Sequence, residues 1–172
     1  MRTWLARALS GAAVLSLAAG CGASGPQPQP SAAQHNCNDA VATTEHVPPA
    51  MRAQGIARGV GDGDVWFIDP KIGRWSDRLT LQGGGASAKI PIWVGSSHLP
   101  DVTVTGTQGT TGSGTAELAP TAEGVPGPVP MGIDIPARGC WQVVAKGQSG
   151  SASIVINADS GWPSPRAGGS VN

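Results

Sequence analysis

The hydrophobic residues between positions 56 and 157 occur in short runs separated by turns rich in glycine, proline and serine. Runs that recur about every 8–12 residues are typical of antiparallel β-sheets. In Lys89–Val94 every second residue is a branched aliphatic, which predicts a strand with one buried face. The predicted strands are Ile56–Val60, Asp64–Ile68, Leu79–Leu81, Lys89–Val94, Val102–Thr105, Thr115–Leu118, a short segment at Ile133–Ile135, Gly139–Lys146 and Ser151–Asn157.

Turn and proline positions refine this pattern. The turn Gly147–Gly150 predicts that the last two strands form a hairpin. Pro91 predicts a sheet edge or a bulge for its strand, because proline cannot donate a hydrogen bond to the ladder. Ala40–Ala57 is the one segment in which a helix is conceivable, and the adjacent Pro48 and Pro49 argue against it.

Seven to eight of these nine candidate segments, counted as strands of one domain at residues 37–157, predict an all-β fold of the immunoglobulin-like antiparallel β-sandwich class. Pro120–Pro130 is predicted to be a connection between its sheets. Trp66 and Trp141 lie in the most apolar strands and are predicted to be in the core. Residues 158–172, composed mainly of serine, glycine and proline, are predicted to be a disordered tail.

The first 21 residues have the order of an export signal. Arg2 and Arg7 precede the uncharged apolar run Ala8–Ala19 and form a positively charged first region. The apolar run is shorter than the roughly 20 residues that a membrane-spanning helix needs. The sequence LAAGC at positions 17–21 resembles the lipobox of bacterial lipoproteins. That resemblance implies that residues 1–20 are a cleaved signal peptide and that Cys21 carries the lipid. The alternative is an ordinary secretory signal that is cut elsewhere.

Residues 21–36 contain no acidic or basic side chain and are rich in glutamine and proline. Such a segment cannot bury enough apolar area to fold, so it is predicted to be a flexible tether behind the lipidated cysteine. The predicted location is the extracytoplasmic face of the cell membrane, with the bilayer as the partner of Cys21. In a cell with two membranes the outer membrane stays an alternative.

Cys37 and Cys140 remain once Cys21 is assigned to the lipid. Exported domains fold in an oxidising compartment, where two remaining cysteines are expected to pair. A disulfide closing a loop of this size would stabilise the fold by about 4–5 kcal/mol on the chain-entropy model. The alternative is a pair of buried free thiols.

The segment around Cys140 carries a second resemblance. Residues 135–143, IPARGCWQV, are similar to a Pro-x-x-Gly-Cys-Trp-x-Val signature of uncharacterised bacterial lipoproteins that end in the same hairpin. The resemblance implies a fold and an exported location. It assigns no catalytic residue.

Charge excludes one class of partner. Eleven basic residues balance eleven acidic ones, and the lysines and arginines are scattered along the chain. Nucleic-acid binding needs a concentrated basic face, so no nucleic-acid partner is expected.

Two groups of residues are weighed as chemical sites. Asp62 and Asp64 could contribute to a calcium loop, although a hairpin turn needs the same residue types and is favoured. Ser97 with His98 or His46 could belong to a serine hydrolase, although the usual nucleophile motifs are missing and exposed loop histidines are favoured. We therefore predict no catalytic residues, no metal and no cofactor.

Trp75 and Trp93 are candidates for an exposed aromatic patch that binds an envelope protein or a glycan. The alternative, that both pack under loops at a sheet edge, is favoured. Taken together, the sequence predicts a membrane-anchored, non-enzymatic binding or accessory module of the bacterial cell envelope. An envelope hydrolase and a structural spacer without ligand are the alternatives.

Overall fold

Antiparallel β-strands dominate the computed structural model, which describes residues 37–82, 84–119 and 124–159. The signal peptide and tether predicted for residues 1–36, with Cys21, lie outside the described residues, as does residue 160 onward in the predicted tail. The helices are α1, Pro49–Ala53, and a 3₁₀ helix, Trp75–Arg78. The strands are β1 Gly59–Asp62, β2 Val65–Ile68, β3 Thr80–Gln82, β4 Gly85–Val94, β5 Asp101–Thr107, β6 Thr115–Leu118, β7 Gly127–Ile135, β8 Cys140–Lys146 and β9 Ser151–Asn157.

These strands form two sheets in which every pairing is antiparallel. The large sheet has the order β1-β2-β4-β7-β6, and β3 pairs with the beginning of β4. The small sheet has the order β5-β8-β9. The predicted hairpin is confirmed, since β8 pairs with β9 from Cys140 opposite Asn157 to Lys146 opposite Ser151. The all-β, antiparallel part of the predicted fold class is therefore correct.

The two sheets share one apolar core. Successive side chains of a strand point to opposite faces, so every second residue of β4 and β7 is directed into the same layer. In β4 the residues at even positions from Ala86 to Val94 are all buried. The core includes Val65, Phe67, Ile90, Ile92, Met131 and Ile133 of the large sheet and Val104, Trp141, Val143, Ile154 and Ile156 of the small sheet.

A disulfide joins Cys37 to Cys140, as predicted, across a sequence separation of 103 residues. The two Cα atoms are 5.6 Å apart. Cys140 is fully buried and begins β8, so the bridge fixes the N-terminal segment to the start of this strand. We call the end of the domain at which β8 begins the disulfide end. The opposite end, where the turn Gly147–Gly150 joins β8 to β9, is the loop end.

A helix forms where the prolines argued against one. α1 begins at Pro49, directly after its N-cap residue Pro48. The expectation is wrong because proline is well tolerated at the first helical position, where its missing N–H would have no partner within the helix. α1 is five residues long and buries Met51 completely.

Two further expectations about prolines are corrected. The last four residues of the predicted connection, 127–130, belong to β7, and the segment joins β6 and β7 of one sheet rather than two sheets. β4 is an interior strand although it contains Pro91. Pro91 lies opposite Pro130 of β7, and on its other side it falls between the last pair with β2, at Ile92, and the first pair with β3, at Ser87. Its missing N–H therefore faces a gap in the ladder and removes no hydrogen bond.

Both candidates for an exposed aromatic patch, Trp75 and Trp93, are buried. Trp75, 2% exposed, packs in the core with its ring edge-to-face against Phe67 at a centroid distance of 6.2 Å. Trp93, also 2% exposed, packs with Trp66 and Met51 on the outer face of the large sheet. α1 covers Trp93 on this face, and Trp75 lies in the core, so neither ring is accessible to a partner. Trp141 lies in the core between the sheets as predicted, whereas Trp66 is buried in the outer-face cluster with Trp93 and Met51.

Candidate functional site

The turn at residues 61–64, considered as a calcium loop, is instead locked onto the turn between β8 and β9. The carboxylate of Asp64, which is 8% exposed, accepts hydrogen bonds from the backbone N–H groups of Gln148 and Ser149, each at 3.1 Å. Asp62 accepts another from the N–H of Ser151. Both carboxylates thus satisfy backbone donors of the neighbouring hairpin. No group of three side chains suited to hold a metal ion occurs among the described residues.

The pKa of Asp64 reflects these contacts. Burial raises the pKa, but the backbone N–H groups of Ser149 and Gln148 and the hydroxyl of Ser96 outweigh burial and hold the pKa below its ordinary value of 3.8. Asp64 is therefore ionised at neutral pH, in the form that accepts these hydrogen bonds most strongly.

Glycines allow the two turns to approach this closely. Gly63 has a φ of +51°, and a Cβ there would collide with the carbonyl group of Ser149. A Cβ at Gly150 would collide with the carbonyl group of Asp62. Close packing of the two turns therefore explains why glycines occupy positions 63 and 150 at the loop end.

The candidate hydrolase residues Ser97 and His98 are exposed in the loop between β4 and β5. Ser97 Oγ lies 3.1 Å from His98 Nδ1, and Gln148 Nε2 lies 3.1 Å from the same nitrogen. His46 Nδ1 lies 3.3 Å from Thr44 Oγ1. A catalytic triad needs a carboxylate on the second ring nitrogen of its histidine. In the described part of the chain no carboxylate takes that position at either histidine.

The outer face of the large sheet carries a depression that the sequence analysis did not identify. Three cavities of about 300, 460 and 380 Å³ adjoin one another along β4 and β7, from the disulfide end toward α1. We call the combined depression the trough. Its neighbouring cavities share the lining residues Gln82, Ser87 and Asp134, and then Arg78 and Lys89.

Gly132 of β7 forms the middle of the trough floor. The strand register places Lys89 of β4 on one side of Gly132 and Glu117 of β6 on the other. A Cβ at Gly132 would meet no atom within 4 Å, so the space above the floor is open. The row next to it, toward the disulfide end, consists of Ser87, Asp134 and Thr115.

Opposite charges line the two walls of the trough. Arg78 and Lys89 lie on the β3–β4 side, whereas Glu117 and Asp134 lie on the β6–β7 side, and all four side chains are exposed. The ion pairs found among the described residues are formed by arginines outside the trough. Arg78 donates a hydrogen bond to the carbonyl oxygen of Pro70 at 3.0 Å. The walls therefore present charge that is not neutralised across the trough.

The end of the trough nearest α1 is apolar. Pro91, Pro128 and Pro130 line the 380 Å³ cavity there, together with the aliphatic stems of Arg78 and Lys89. A cavity of this size and composition suits one bulky apolar side chain of a ligand.

One sequence signal could have pointed to the trough. Gly132 stands between Met131 and Ile133, and a glycine inside a strand often marks a site where another molecule approaches the backbone. The remaining wall residues are brought together by register across strands that are distant in sequence. Alternation alone does not show which strands are neighbours.

Comparison with family models, curated proteins and solved structures finds no match for this chain. In the part of the chain that the structure describes, neither helix has the length and apolar character needed to cross a bilayer.

Proposed function

We propose that the protein is a lipid-anchored binding module on the extracytoplasmic face of a bacterial membrane and that it has no enzymatic activity. The trough carries this proposal. It is an open surface lined by charged groups that the described chain leaves unneutralised and by one apolar cavity, and ligand sites combine these two features. The charged groups of the trough are exposed on an open surface, which suits binding better than catalysis in a water-excluding cleft.

The disulfide supports an extracytoplasmic location. Disulfides such as Cys37–Cys140 persist in oxidising compartments and are rare in the bacterial cytoplasm. The anchor itself rests on the lipobox resemblance: Cys21 would bear the acyl chains, residues 1–20 would be removed, and the remaining tether would reach the domain at Cys37. The bilayer is then the first partner, and the ligand of the trough is the second.

The strand order supports an immunoglobulin-like class for the sandwich, which we include in the proposal. β2-β4-β7-β6 in one sheet and β5-β8-β9 in the other match the A-B-E-D and C-F-G orders of constant-type immunoglobulin domains. β1 and β3 are additions to that scheme.

The contact between Ser97 and His98 is the observation that favours the hydrolase alternative. We rank it second because the nitrogen that faces Ser97 also faces Gln148 and because both residues are exposed rather than held in a cleft. An active serine would be labelled by a fluorophosphonate probe, and labelling lost in Ser97→Ala would support the hydrolase over the binding module.

Site-specific photo-crosslinking in intact cells tests the binding function. A photoreactive residue at Gly132 is expected to form an adduct with an envelope component. The same residue at Gly73 is the control, because this position also has open space around its Cβ and lies outside the trough. Adducts that are absent at 132, or equally frequent at both positions, would favour the spacer alternative. Cys21→Ser is expected to release the protein from the membrane fraction, and unchanged retention would refute acylation at this thiol.

A further inference from the structure

We propose that the ligand of the trough is an extended peptide segment in which acidic and basic side chains alternate. This inference rests on the proposed binding function and specifies its partner. The carrying observation is the separation of charge between the walls: Arg78 and Lys89 on one side, Glu117 and Asp134 on the other.

The geometry of an extended chain matches this separation. Successive side chains of an extended peptide project to opposite sides with a period of two residues. A peptide that runs along the trough above Gly132 therefore directs one set of side chains to the cationic wall and the other set to the anionic wall. Acidic residues would meet Arg78 and Lys89, and basic residues would meet Glu117 and Asp134.

The length of the trough also suits a peptide. Its lining along β7 extends from Pro128 to Pro136, which corresponds to about 26 Å of strand at roughly 3.3 Å per residue. A segment of about eight residues covers this distance when extended. The hydroxyl of Ser87 and the amide of Gln82 line the same depression and can bond to the backbone of such a segment.

The proline-lined cavity adds a position for one apolar side chain at the α1 end. Pro91, Pro128 and Pro130 present ring C–H groups and no backbone N–H donor. An apolar residue at that end of the peptide would fix its direction, because the disulfide end of the trough is polar.

The distribution of aromatic rings favours a peptide over a glycan. Protein sites for sugars stack them on exposed aromatic faces, and the chain has no tyrosine and a single phenylalanine. In the described part, Phe67 and all tryptophans are buried, with Trp66 the least so at 6% exposure. The trough therefore offers charges and hydroxyls without a stacking platform.

Synthetic peptides test the proposal directly. The probes are fluorescein-labelled peptides of about eight residues, one alternating glutamate and lysine with a terminal leucine, the other with the same composition in two blocks. Binding to the membrane-extracted protein in neutral detergent is followed by fluorescence anisotropy. The alternating peptide is expected to bind at least about fivefold more tightly than the block peptide. Equal affinities, or no binding of either, would overturn the proposal.

Matched variants locate the binding. Gly132→Leu fills the floor and is expected to weaken binding of the alternating peptide about tenfold, whereas Gly73→Leu leaves it unchanged. Lys89→Glu is expected to weaken binding about fivefold, whereas Lys89→Arg, which keeps the positive charge on the same wall, is expected to preserve it. Binding that ignores Gly132→Leu, or an equal loss in Lys89→Arg and Lys89→Glu, contradicts the assigned site.

Two outcomes separate this inference from the binding function itself. If photo-crosslinks form at position 132 in cells but the adduct is a glycan or a lipid, the module binds there and the peptide proposal falls. If truncation after Asp159 raises peptide affinity more than about tenfold, the chain's own C-terminal segment is the occupant and the proposal of an external peptide is overturned.

Discussion

Two regions of this domain carry acidic side chains and use them in different ways. At the loop end, Asp62 and Asp64 accept hydrogen bonds from the backbone of the β8–β9 hairpin. In the trough, Glu117 and Asp134 face Lys89 and the cationic wall without forming ion pairs among the described residues. The first pair holds two hairpins together. The second pair stays exposed, and Asp134 accepts a hydrogen bond from the hydroxyl of Thr115 at 3.5 Å.

The comparison teaches how to separate structural from functional charge. A carboxylate whose oxygens are taken up by backbone N–H groups contributes to stability and has little capacity left for a ligand. An exposed charge without an ion-pair partner contributes almost nothing to stability and stays available to a ligand. By this criterion the motif that looked most chemical in the sequence, residues 61–64, is structural, and the trough is the candidate for binding.

Two glycine substitutions give the largest expected contrast. Gly63→Ala is expected to lower the free energy of unfolding by about 3 kcal/mol, because its positive φ and the carbonyl of Ser149 both exclude a side chain. Gly132→Ala is expected to change it by no more than about 0.5 kcal/mol, because the space above it is empty. Urea unfolding of both variants measures the difference. Similar losses in the two would show that the trough floor is not open.

Neutral amide substitutions sharpen the same contrast. Asp64→Asn is expected to cost about 2 kcal/mol, since an amide has one acceptor oxygen for the two N–H groups of Gln148 and Ser149. Glu117→Gln is expected to stay within about 0.5 kcal/mol of the parent. Denaturant midpoints in one buffer report both values. A large effect of Glu117→Gln would mean that the trough charges are structural after all.

The dependence of stability on pH tests the role of the Asp64 carboxylate at the loop end. Because the pKa of Asp64 is lowered in the folded state, the unfolded chain binds the proton first as the pH falls. Its contribution to stability is therefore fully present above the ordinary value of 3.8 and is lost below it, as the pH falls through the folded pKa. The difference in unfolding free energy between the parent and Asp64→Asn is expected to shrink in that range. If the difference in unfolding free energy did not depend on pH, the role assigned to the Asp64 carboxylate would be wrong.

The smallest effect is expected from charge reversal in the trough. Glu117→Lys places a third cation beside Arg78 and Lys89 and is expected to destabilise the fold by about 0.5 kcal/mol at low salt. Because these charges are exposed, the effect should disappear near 1 M salt, where the Debye length is about 3 Å. Thermal melts at two salt concentrations measure it. If the destabilisation by Glu117→Lys persisted at high salt, it would have to come from short-range contacts rather than from exposed charges.

Much of the fold was predictable because its signals are local. β6 has the predicted bounds, Thr115–Leu118, and the β8–β9 hairpin follows from one glycine-rich turn between two alternating runs. The disulfide was predictable by elimination, because Cys21 was assigned elsewhere and two cysteines remained. α1 was missed because a pair of prolines was taken to exclude a helix rather than to begin one.

The candidate site could not be predicted in the same way. Lys89 and Glu117 come to lie on either side of Gly132 through two separate strand pairings, and alternation assigns a face without assigning a neighbour. Trp93 is a second example. Alternation along β4 places it on the outer face, but its burial depends on α1, which packs over it.

By itself the sequence determined which segments are extended, which side of each strand is apolar and which two cysteines can bond, because period-two alternation, turn residues and residue counts are properties of the chain. Only the tertiary structure decided what covers each outer face. α1 packs over Trp66 and Trp93 but leaves Gly132 open, and the register of three strands sets Lys89 apart from Glu117. Coverage and register are settled by packing between segments far apart in the chain, and no local pattern encodes them.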